Sequence, residues 1–217
     1  MKIRQGCKYI IGIDEAGRGP LAGPVSVGVV IVPADFDMKL LKGVRDSKKL
    51  SELQREVWYK KLKIWGEQKI LNYKVCLVSA ATIDKLGISY AIRKAIRICL
   101  AKLEVNPKNC SVLLDGSLKA PAEFKNQKTI IGGDDKVKLI SLASIAAKVT
   151  RDRKMKNLAK IFPSFSFEIH KGYGTALHIK AIRKHGPSEI HRESFIKNIM
   201  GSRKGKIARS SGRPPII

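Results

Sequence analysis

The sequence predicts an α/β or α+β domain built around one mixed sheet. Segments with strand-like patterns are concentrated in the first part of the chain, and long helical patterns follow them. The 217 residues, 44% of them hydrophobic, suffice for one globular domain with a substantial core. We expect this domain to comprise residues 1–200. The segment 201–217 has no acids and no periodicity, and it is predicted to be a disordered basic tail.

Two strands are predicted near the start of the chain, at residues 9–14 and 24–32, with a glycine-rich turn between them. Ser51 followed by Gln54 is the capping-box pattern that begins a helix. A third strand is predicted at residues 69–78, because this segment is rich in β-branched and apolar residues. The first half of the chain therefore supplies most of the sheet.

Helices dominate the second half. Ser79 is a predicted cap of a short helix that ends at Gly87, and an amphipathic helix follows it. Short strands are predicted at 111–115 and 128–131. The longest helical pattern, KVKLISLASIAAKVTRDRKMKNLAK, comes after two acids, and further helices are predicted at 176–185 and in HRESFIKNIM.

The charge of the chain indicates a polyanionic partner. Lysine and arginine number 43 against 18 acids, a formal charge of +25, which favours nucleic acid over an acidic membrane surface. No run of residues approaches the ~18 apolar residues of a membrane span. The four cysteines form no C-x-x-C pair, which argues against a zinc ribbon or a disulfide framework and favours buried thiols in a reducing cytoplasm.

Four acids stand where strands end or helices begin: Asp14, Glu15, Asp115 and Asp134. Because such positions align along one edge of an α/β sheet, we expect these side chains to converge. Their mutual repulsion would be relieved by a hard divalent cation, and ligands that are all oxygens suit Mg²⁺ or Mn²⁺. Taken singly, Asp134 is better explained as a helix cap and Asp115 as a turn acid, whereas the position of Asp14-Glu15 among apolar strand residues and glycines favours a functional role.

The loop after the first strand is rich in glycine. Gly17, Gly19 and Gly23 permit positive φ angles and close approach of a ligand, so their backbone N–H groups are candidates to bind a phosphate or a sugar hydroxyl. A tight turn between strands explains the same residues. The position of Gly17-Arg18-Gly19 directly after Asp-Glu favours the functional interpretation.

Other candidate residues carry weaker signals. Ser47 and Lys48 are candidates to contact a phosphate backbone, although a solvated loop is an equal alternative. Tyr173 lies between two glycines, which predicts an exposed ring able to stack on a sugar or base. Helical spacing predicts that Asp152 is structural, paired with lysines four residues away on either side. The four histidines have no metal-ligand spacing and are predicted to lie at the surface or around the site.

Taken together, the motifs IGIDEAGRGPLAGPV, RDSKKLSE, LLDG, GGDDK, ASIAAKVTRDR and HKGYGT resemble those of bacterial ribonuclease HII, in the same order and over most of the chain. The resemblance implies an RNase H-like fold, with a mixed sheet flanked by helices and a helical C-terminal segment. It also implies hydrolysis of the RNA strand of RNA–DNA hybrids. Duplex DNA would be cut 5′ of an embedded ribonucleotide, leaving 3′-hydroxyl and 5′-phosphate ends.

Carried over by position, the resemblance implies that Asp14, Glu15, Asp115 and Asp134 are metal-binding catalytic acids, with Asp134 preferred to Asp135. It implies that Gly17-Arg18-Gly19 reads the ribose 2′-hydroxyl and that Tyr173 stacks on the neighbouring sugar. A catalytically silent nucleic-acid-binding protein and a DNA-specific nuclease of the same fold are the alternatives. We expect a cytoplasmic monomer, with the basic tail as a candidate contact for a sliding clamp.

Overall fold

A computed structural model describes residues 6–200, so the predicted tail 201–217 lies outside the described residues. Five strands form one mixed sheet in the order β3-β2-β1-β4-β5. The strands are β1 (Tyr9–Ala16), β2 (Val25–Pro33), β3 (Asn72–Val78), β4 (Cys110–Asp115) and β5 (Gln127–Ile130). β1 pairs antiparallel with β2 and parallel with β4, so β1 and β4 end at the same edge.

Eight α-helices accompany the sheet in the described part of the chain: α1 (Glu52–Glu67), α2 (Ala80–Leu86), α3 (Ile88–Ala101), α4 (Gly133–Lys136), α5 (Lys138–Ile161), α6 (Phe167–His170), α7 (Ala176–His185) and α8 (Glu193–Met200). The predicted capping box of α1 is present, and Ser79 caps α2 as predicted. The predicted mixed sheet flanked by helices is therefore confirmed. Within residues 6–200, no helix is both long enough and apolar enough to span a membrane.

Both faces of the sheet are covered. The amphipathic helix α3 packs against one face through its stripe of buried aliphatic residues, and α1 and α5 cover the other face. α5 lies unusually close to the sheet because two strand glycines face it. A Cβ at Gly28 would stand 2.2 Å from the Ala143 carbonyl oxygen, and one at Gly12 would stand 2.6 Å from the Leu139 backbone. This close approach places the first half of α5 beside the end of β1.

Several boundaries differ from the predictions. β1 continues to Ala16 rather than ending at residue 14, and β2, β4 and β5 are each displaced or extended by one residue. β3 begins at Asn72 rather than at residue 69, because the chain turns after α1 with a positive φ at Lys69. Asp134 does not open the long helix; it lies in the separate short helix α4, and Val137 is extended between α4 and α5. The Ser141 hydroxyl at the start of α5 donates to the Asp134 carbonyl at 2.6 Å, which ties the two helices together.

Candidate active site

Three carboxylates meet where β1 and β4 end. Asp14 lies near the end of β1, Asp115 ends β4 and Asp134 lies in the first turn of α4. One carboxylate oxygen from each lies within 4.8 Å of the others. The parallel pairing of β1 with β4 produces this convergence, because it brings the two strand ends side by side.

Backbone amides hold two of these carboxylates in place. Asp115 Oδ1 accepts from the Gly133 amide at 2.6 Å, which docks α4 onto the end of β4. Asp14 Oδ1 accepts from the Glu15 amide at 2.7 Å. Burial raises the pKa of Asp14 well above its usual range, and the nearby charges of Glu15 and Asp115 raise it further. The charged form of this cluster is therefore strained in the absence of a cation.

Glu15 does not join the three-carboxylate cluster. It lies within β1, where neighbouring side chains point to opposite faces, so it is directed away from Asp14. Its Oε1 accepts from the Arg18 guanidinium at 2.9 Å, and its Oε2 is buried without a hydrogen-bond partner. The sequence predicted convergence of four acids; the structure brings three together and leaves the fourth next to them with one unsatisfied oxygen.

The donor set fits a hard divalent cation. All the ligand atoms on offer are carboxylate oxygens, which suit Mg²⁺ or Mn²⁺ rather than zinc. A bound cation would stabilise the charged form of Asp14, whose pKa is raised. It would also supply a partner for Glu15 Oε2, which is buried without one. Lys48 places its ammonium 3.2 Å from Asp134 Oδ2, but its side chain is largely exposed and able to move away.

Asp134 and Asp135 have different environments. Asp134 is buried in the cluster, whereas Asp135 is exposed and pairs with Lys49 at 2.8 Å. The hydrogen bond from Lys49 lowers the pKa of Asp135. Asp134 is therefore the one of the two that faces Asp14 and Asp115, as the resemblance implied.

The Gly17-Arg18-Gly19 loop is fixed from beneath by a buried arginine. Gly17 and Gly23 have positive φ angles of +91° and +83°, whereas Gly19 does not use the positive φ that glycine permits. The Arg192 guanidinium donates to the carbonyl oxygens of Gly17 at 2.7 Å, Arg18 at 2.9 Å and Gly23 at 3.0 Å. These contacts turn the loop carbonyls inward.

A second buried arginine supports the rest of this loop. Arg151 donates to the carbonyls of Pro24 at 2.9 Å and Ala22 at 3.2 Å, and a Cβ at Gly17 would stand 2.1 Å from its Nε. Neither Arg151 nor Arg192 pairs with a carboxylate within residues 6–200. Sequence reasoning missed both roles, because an arginine is rarely fully buried without an acid.

Tyr173 is 41% exposed, as predicted, and its ring lies beneath two cations. Lys148 Nζ and the Arg151 guanidinium carbon are 5.6 Å and 5.7 Å from the ring centroid. Lys148 also pairs with Asp152 at 2.9 Å, as predicted. The predicted second partner of Asp152, Lys156, instead pairs with Glu52 of α1.

A cluster of imidazoles supports the Tyr173 loop. His170 and His178 stack with ring centroids 4.4 Å apart, and His178 Nε2 lies 3.0 Å from His191 Nε2. His178 Nδ1 donates to the Tyr173 carbonyl at 2.9 Å. These three histidines are buried rather than at the surface, and they lie around the Tyr173 loop, which is the other position that the prediction allowed; His185 is exposed. Packing of α6 and α7 around Phe165 and its neighbours buries them, which the histidine spacing does not reveal.

The two predicted phosphate contacts differ in exposure. Lys48 is exposed beside the acid cluster. Ser47 is buried, and its hydroxyl lies 2.9 Å from that of Ser144 on α5. In this arrangement Ser47 anchors the loop that carries Lys48, and its hydroxyl is not presented to solvent.

An RNase H-like sheet with two acids at its strand ends and a third on the adjacent short helix α4 is typical of a class of metal-dependent nucleases. The chain belongs to the ribonuclease HII family: the family model for ribonuclease HII matches residues 11–198. It is therefore a ribonuclease H, a hydrolytic endonuclease that acts on RNA–DNA hybrids and belongs to a family that depends on divalent metal.

Curated relatives support the same assignment. Ribonuclease HII of Caldicellulosiruptor saccharolyticus is 42% identical over 198 residues, which is 91% of this chain and 92% of the relative. Ribonuclease HII of Bacillus anthracis is 47% identical over 191 residues, covering 88% of this chain and 70% of the relative.

Solved structures agree with the fold. Ribonuclease H2 of Pyrococcus horikoshii superposes with a TM-score of 0.65 at 27% identity, covering 86% of this chain and 93% of the other. The RNase HII of the PCNA:RNase HII complex from Archaeoglobus fulgidus gives a TM-score of 0.68 at 25% identity, covering 90% and 98%.

Proposed function

We propose that this ribonuclease H hydrolyses the RNA strand of hybrids and also cuts duplex DNA on the 5′ side of a single embedded ribonucleotide. Water adds to the phosphorus, the bond to the 3′ oxygen breaks, and that oxygen takes up a proton. The products carry a 3′-hydroxyl and a 5′-phosphate. The observation that carries this proposal is the meeting of Asp14, Asp115 and Asp134 oxygens within 4.8 Å, next to the glycine-rich loop.

In this proposal Asp14, Asp115 and Asp134 hold the catalytic metal, and Glu15 completes the set when Arg18 releases it. Two bound Mg²⁺ or Mn²⁺ ions would activate the attacking water and stabilise the leaving oxygen. The three carboxylates would hold the metal that binds the scissile phosphate, and Lys48 contributes a positive charge that attracts the nucleic-acid backbone.

Specificity for ribose is assigned to the loop and the tyrosine. Because Arg192 holds the carbonyls of Gly17 and Arg18 inward, N–H groups of the Gly17-Arg18-Gly19 loop are available on the other side for a 2′-hydroxyl. The exposed Tyr173 ring is available to stack on the next sugar, where a deoxyribose fits more closely than a ribose.

Partners beyond the substrate are also proposals. The related archaeal enzyme was solved in complex with PCNA, which supports a contact of this chain with a sliding clamp. Our prediction that the tail makes this contact concerns residues 201–217, outside the described part of the chain. The monomeric state and the cytoplasmic location stay predictions.

The test is a panel of three labelled duplexes: all-DNA, RNA–DNA hybrid, and DNA with one ribonucleotide. Each is incubated with Mg²⁺, with Mn²⁺ and with EDTA. We expect metal-dependent cutting of the second and third substrates only, with one product end on the 5′ side of the single ribonucleotide. Equal cutting of all-DNA duplex, or binding without cutting in either metal, would contradict the proposal.

A further inference from the structure

A basic pocket shares Arg18 with the acidic site, since Arg18 lines the pocket and also contacts Glu15. Its volume is about 250 Å³, and buried isoleucines of α3 form part of its wall. Apart from Leu118, the other lining side chains are polar: Arg18, Arg93, Lys119, Ser89 and Ser117. This pocket lies on the α3 side of the sheet, which is also the side towards which Glu15 is directed.

The charges in this pocket are unbalanced. Three cationic side chains line it, and no carboxylate of the described residues does. Arg18 pairs with Glu15, but Arg93 and Lys119 make no ion pair in the part of the chain that the structure describes. Cations gathered against an apolar wall repel one another, and a bound anion relieves that repulsion. The two serine hydroxyls add hydrogen-bond donors suited to anionic oxygens.

Two residues that line the pocket are close in sequence to acids of the candidate active site. Ser117 follows Asp115 by two residues, so their Cα atoms are at most about 7 Å apart. The Arg18 guanidinium touches Glu15 at 2.9 Å. One strand of a duplex carries a phosphate about every 3.4 Å along the helix axis. A strand bound at the acids therefore brings another of its phosphates within reach of this pocket.

We propose that this pocket binds a backbone phosphodiester of the cleaved strand, one or two nucleotides from the scissile phosphate. The identification of the bound strand as the cleaved strand rests on the proposed function. A phosphodiester matches the pocket in charge and in its two free oxygens, which the arginines and hydroxyls accommodate together.

The position of Arg18 links this pocket to the acids. Its guanidinium lines the pocket while it holds Glu15 Oε1. A bound phosphate competes for the same guanidinium, and Glu15 is then released with both oxygens free. Substrate binding would in this way supply the fourth acid, which the structure leaves outside the cluster of three.

The first test is binding of a duplex with one ribonucleotide in EDTA, measured by fluorescence anisotropy over a range of salt concentrations. The double variant R93Q/K119Q removes two pocket charges. K94Q/K125Q is the matched control, because it removes two exposed lysines outside the pocket, one of them also on α3. We expect R93Q/K119Q to weaken binding roughly fivefold to tenfold and to lower the salt slope by about 1, and the control to change binding less than about twofold.

The second test replaces single phosphates of either strand with methylphosphonates. In the wild type, neutralising one position in the cleaved strand near the ribonucleotide should weaken binding, and the same replacement should have a clearly smaller effect in R93Q/K119Q, which keeps only Arg18 of the three pocket cations. Equal losses in R93Q/K119Q and in the control would overturn the proposal. The proposal would also be overturned if no position had a smaller effect in R93Q/K119Q than in the wild type, or if the position with the smaller effect lay in the uncleaved strand.

These tests do not require catalysis. If the wild type binds the duplex but does not cut it in Mg²⁺ or Mn²⁺, the proposed function fails while the methylphosphonate scan still decides whether the pocket holds a phosphate. If cutting occurs as proposed and the scan shows no position whose effect is smaller in R93Q/K119Q, only the proposed role of the pocket is refuted.

Discussion

Replacing Asp14 with asparagine should stabilise the metal-free protein. Asp14 is 3% exposed, and its pKa is raised by burial and by the charges of Glu15 and Asp115. A carboxyl whose pKa is raised on folding destabilises the native state at any pH above the raised pKa. As the pH falls through the raised pKa, the native state gains stability because its carboxyl takes up a proton. The asparagine side chain is neutral at every pH, so the substitution removes this cost. It also keeps an oxygen to accept from the Glu15 amide.

The size of the effect follows from the geometry. Two unit charges 4.8 Å apart repel by about 3.5 kcal/mol at an effective dielectric constant of 20. Relaxation of the neighbouring groups reduces this value, so we expect a gain of about 2 kcal/mol in the free energy of unfolding. For a chain of this length, that gain corresponds to roughly 4–8 °C in melting temperature.

Thermal unfolding at pH 8, in EDTA and in saturating Mg²⁺, measures the effect. The Asp14→Asn variant should melt above the wild type in EDTA, and the wild type should gain more from Mg²⁺, because only the intact acid set binds the ion fully. Asp135→Asn is the matched control: this exposed acid lies outside the cluster, so its melting temperature should stay near the wild-type value. A variant at Asp14 that melts below the wild type in EDTA would refute the reasoning.

Three further predictions concern the loops around the site. Tyr173→Ala should slow cutting at a single ribonucleotide more than cutting within a hybrid, whereas Tyr173→Phe keeps the ring; equal losses on both substrates would count against stacking. Arg192→Lys should lower stability by about 2 kcal/mol, measured by urea unfolding, because a lysine ammonium cannot reach all three carbonyls that the guanidinium binds, while a buried cation is retained. Its cutting at a single ribonucleotide should fall more than its duplex affinity, and unchanged cutting would exclude a positioning role. Burial lowers the pKa of His178 to about 4 and of His191 to about 3. Below pH 6.5 the unfolded state therefore binds more protons than the native state, so the free energy of unfolding decreases as the pH is lowered. From pH 7 to 5.5 each histidine should cost roughly 1.3 kcal/mol, measured in the Asp14→Asn background, and a flat profile there would be inconsistent with neutral buried imidazoles.

Local patterns were sufficient to predict most of the fold. Each of these patterns involves residues close together in the sequence: strand alternation, the Ser51 capping box and the apolar stripe of α3. They appear in the structure as predicted. The meeting of Asp14 with Asp115 was also predictable, because parallel strands end at the same edge of a sheet.

The remaining features depend on contacts that are distant in sequence. Glu15 was predicted to join the cluster, but β1 continues to Ala16, and the alternation within a strand turns Glu15 away from Asp14. Arg192 lies more than 170 residues after Gly17, and its burial against loop carbonyls has no sequence signature. Burial of His178 likewise results from the packing of the C-terminal helices against one another.

The most direct test of the central claim compares Asp134→Asn with Asp135→Asn. Both substitutions remove one charge from neighbouring residues of α4, but only Asp134 faces the other two acids. We measure metal-dependent cleavage of duplex DNA with one ribonucleotide, together with duplex binding. Asp134→Asn should cut at least roughly a hundredfold more slowly, with duplex affinity unchanged or stronger, and Asp135→Asn should cut at close to the wild-type rate. Near wild-type cutting by Asp134→Asn, or loss of cutting by Asp135→Asn instead, would contradict the account.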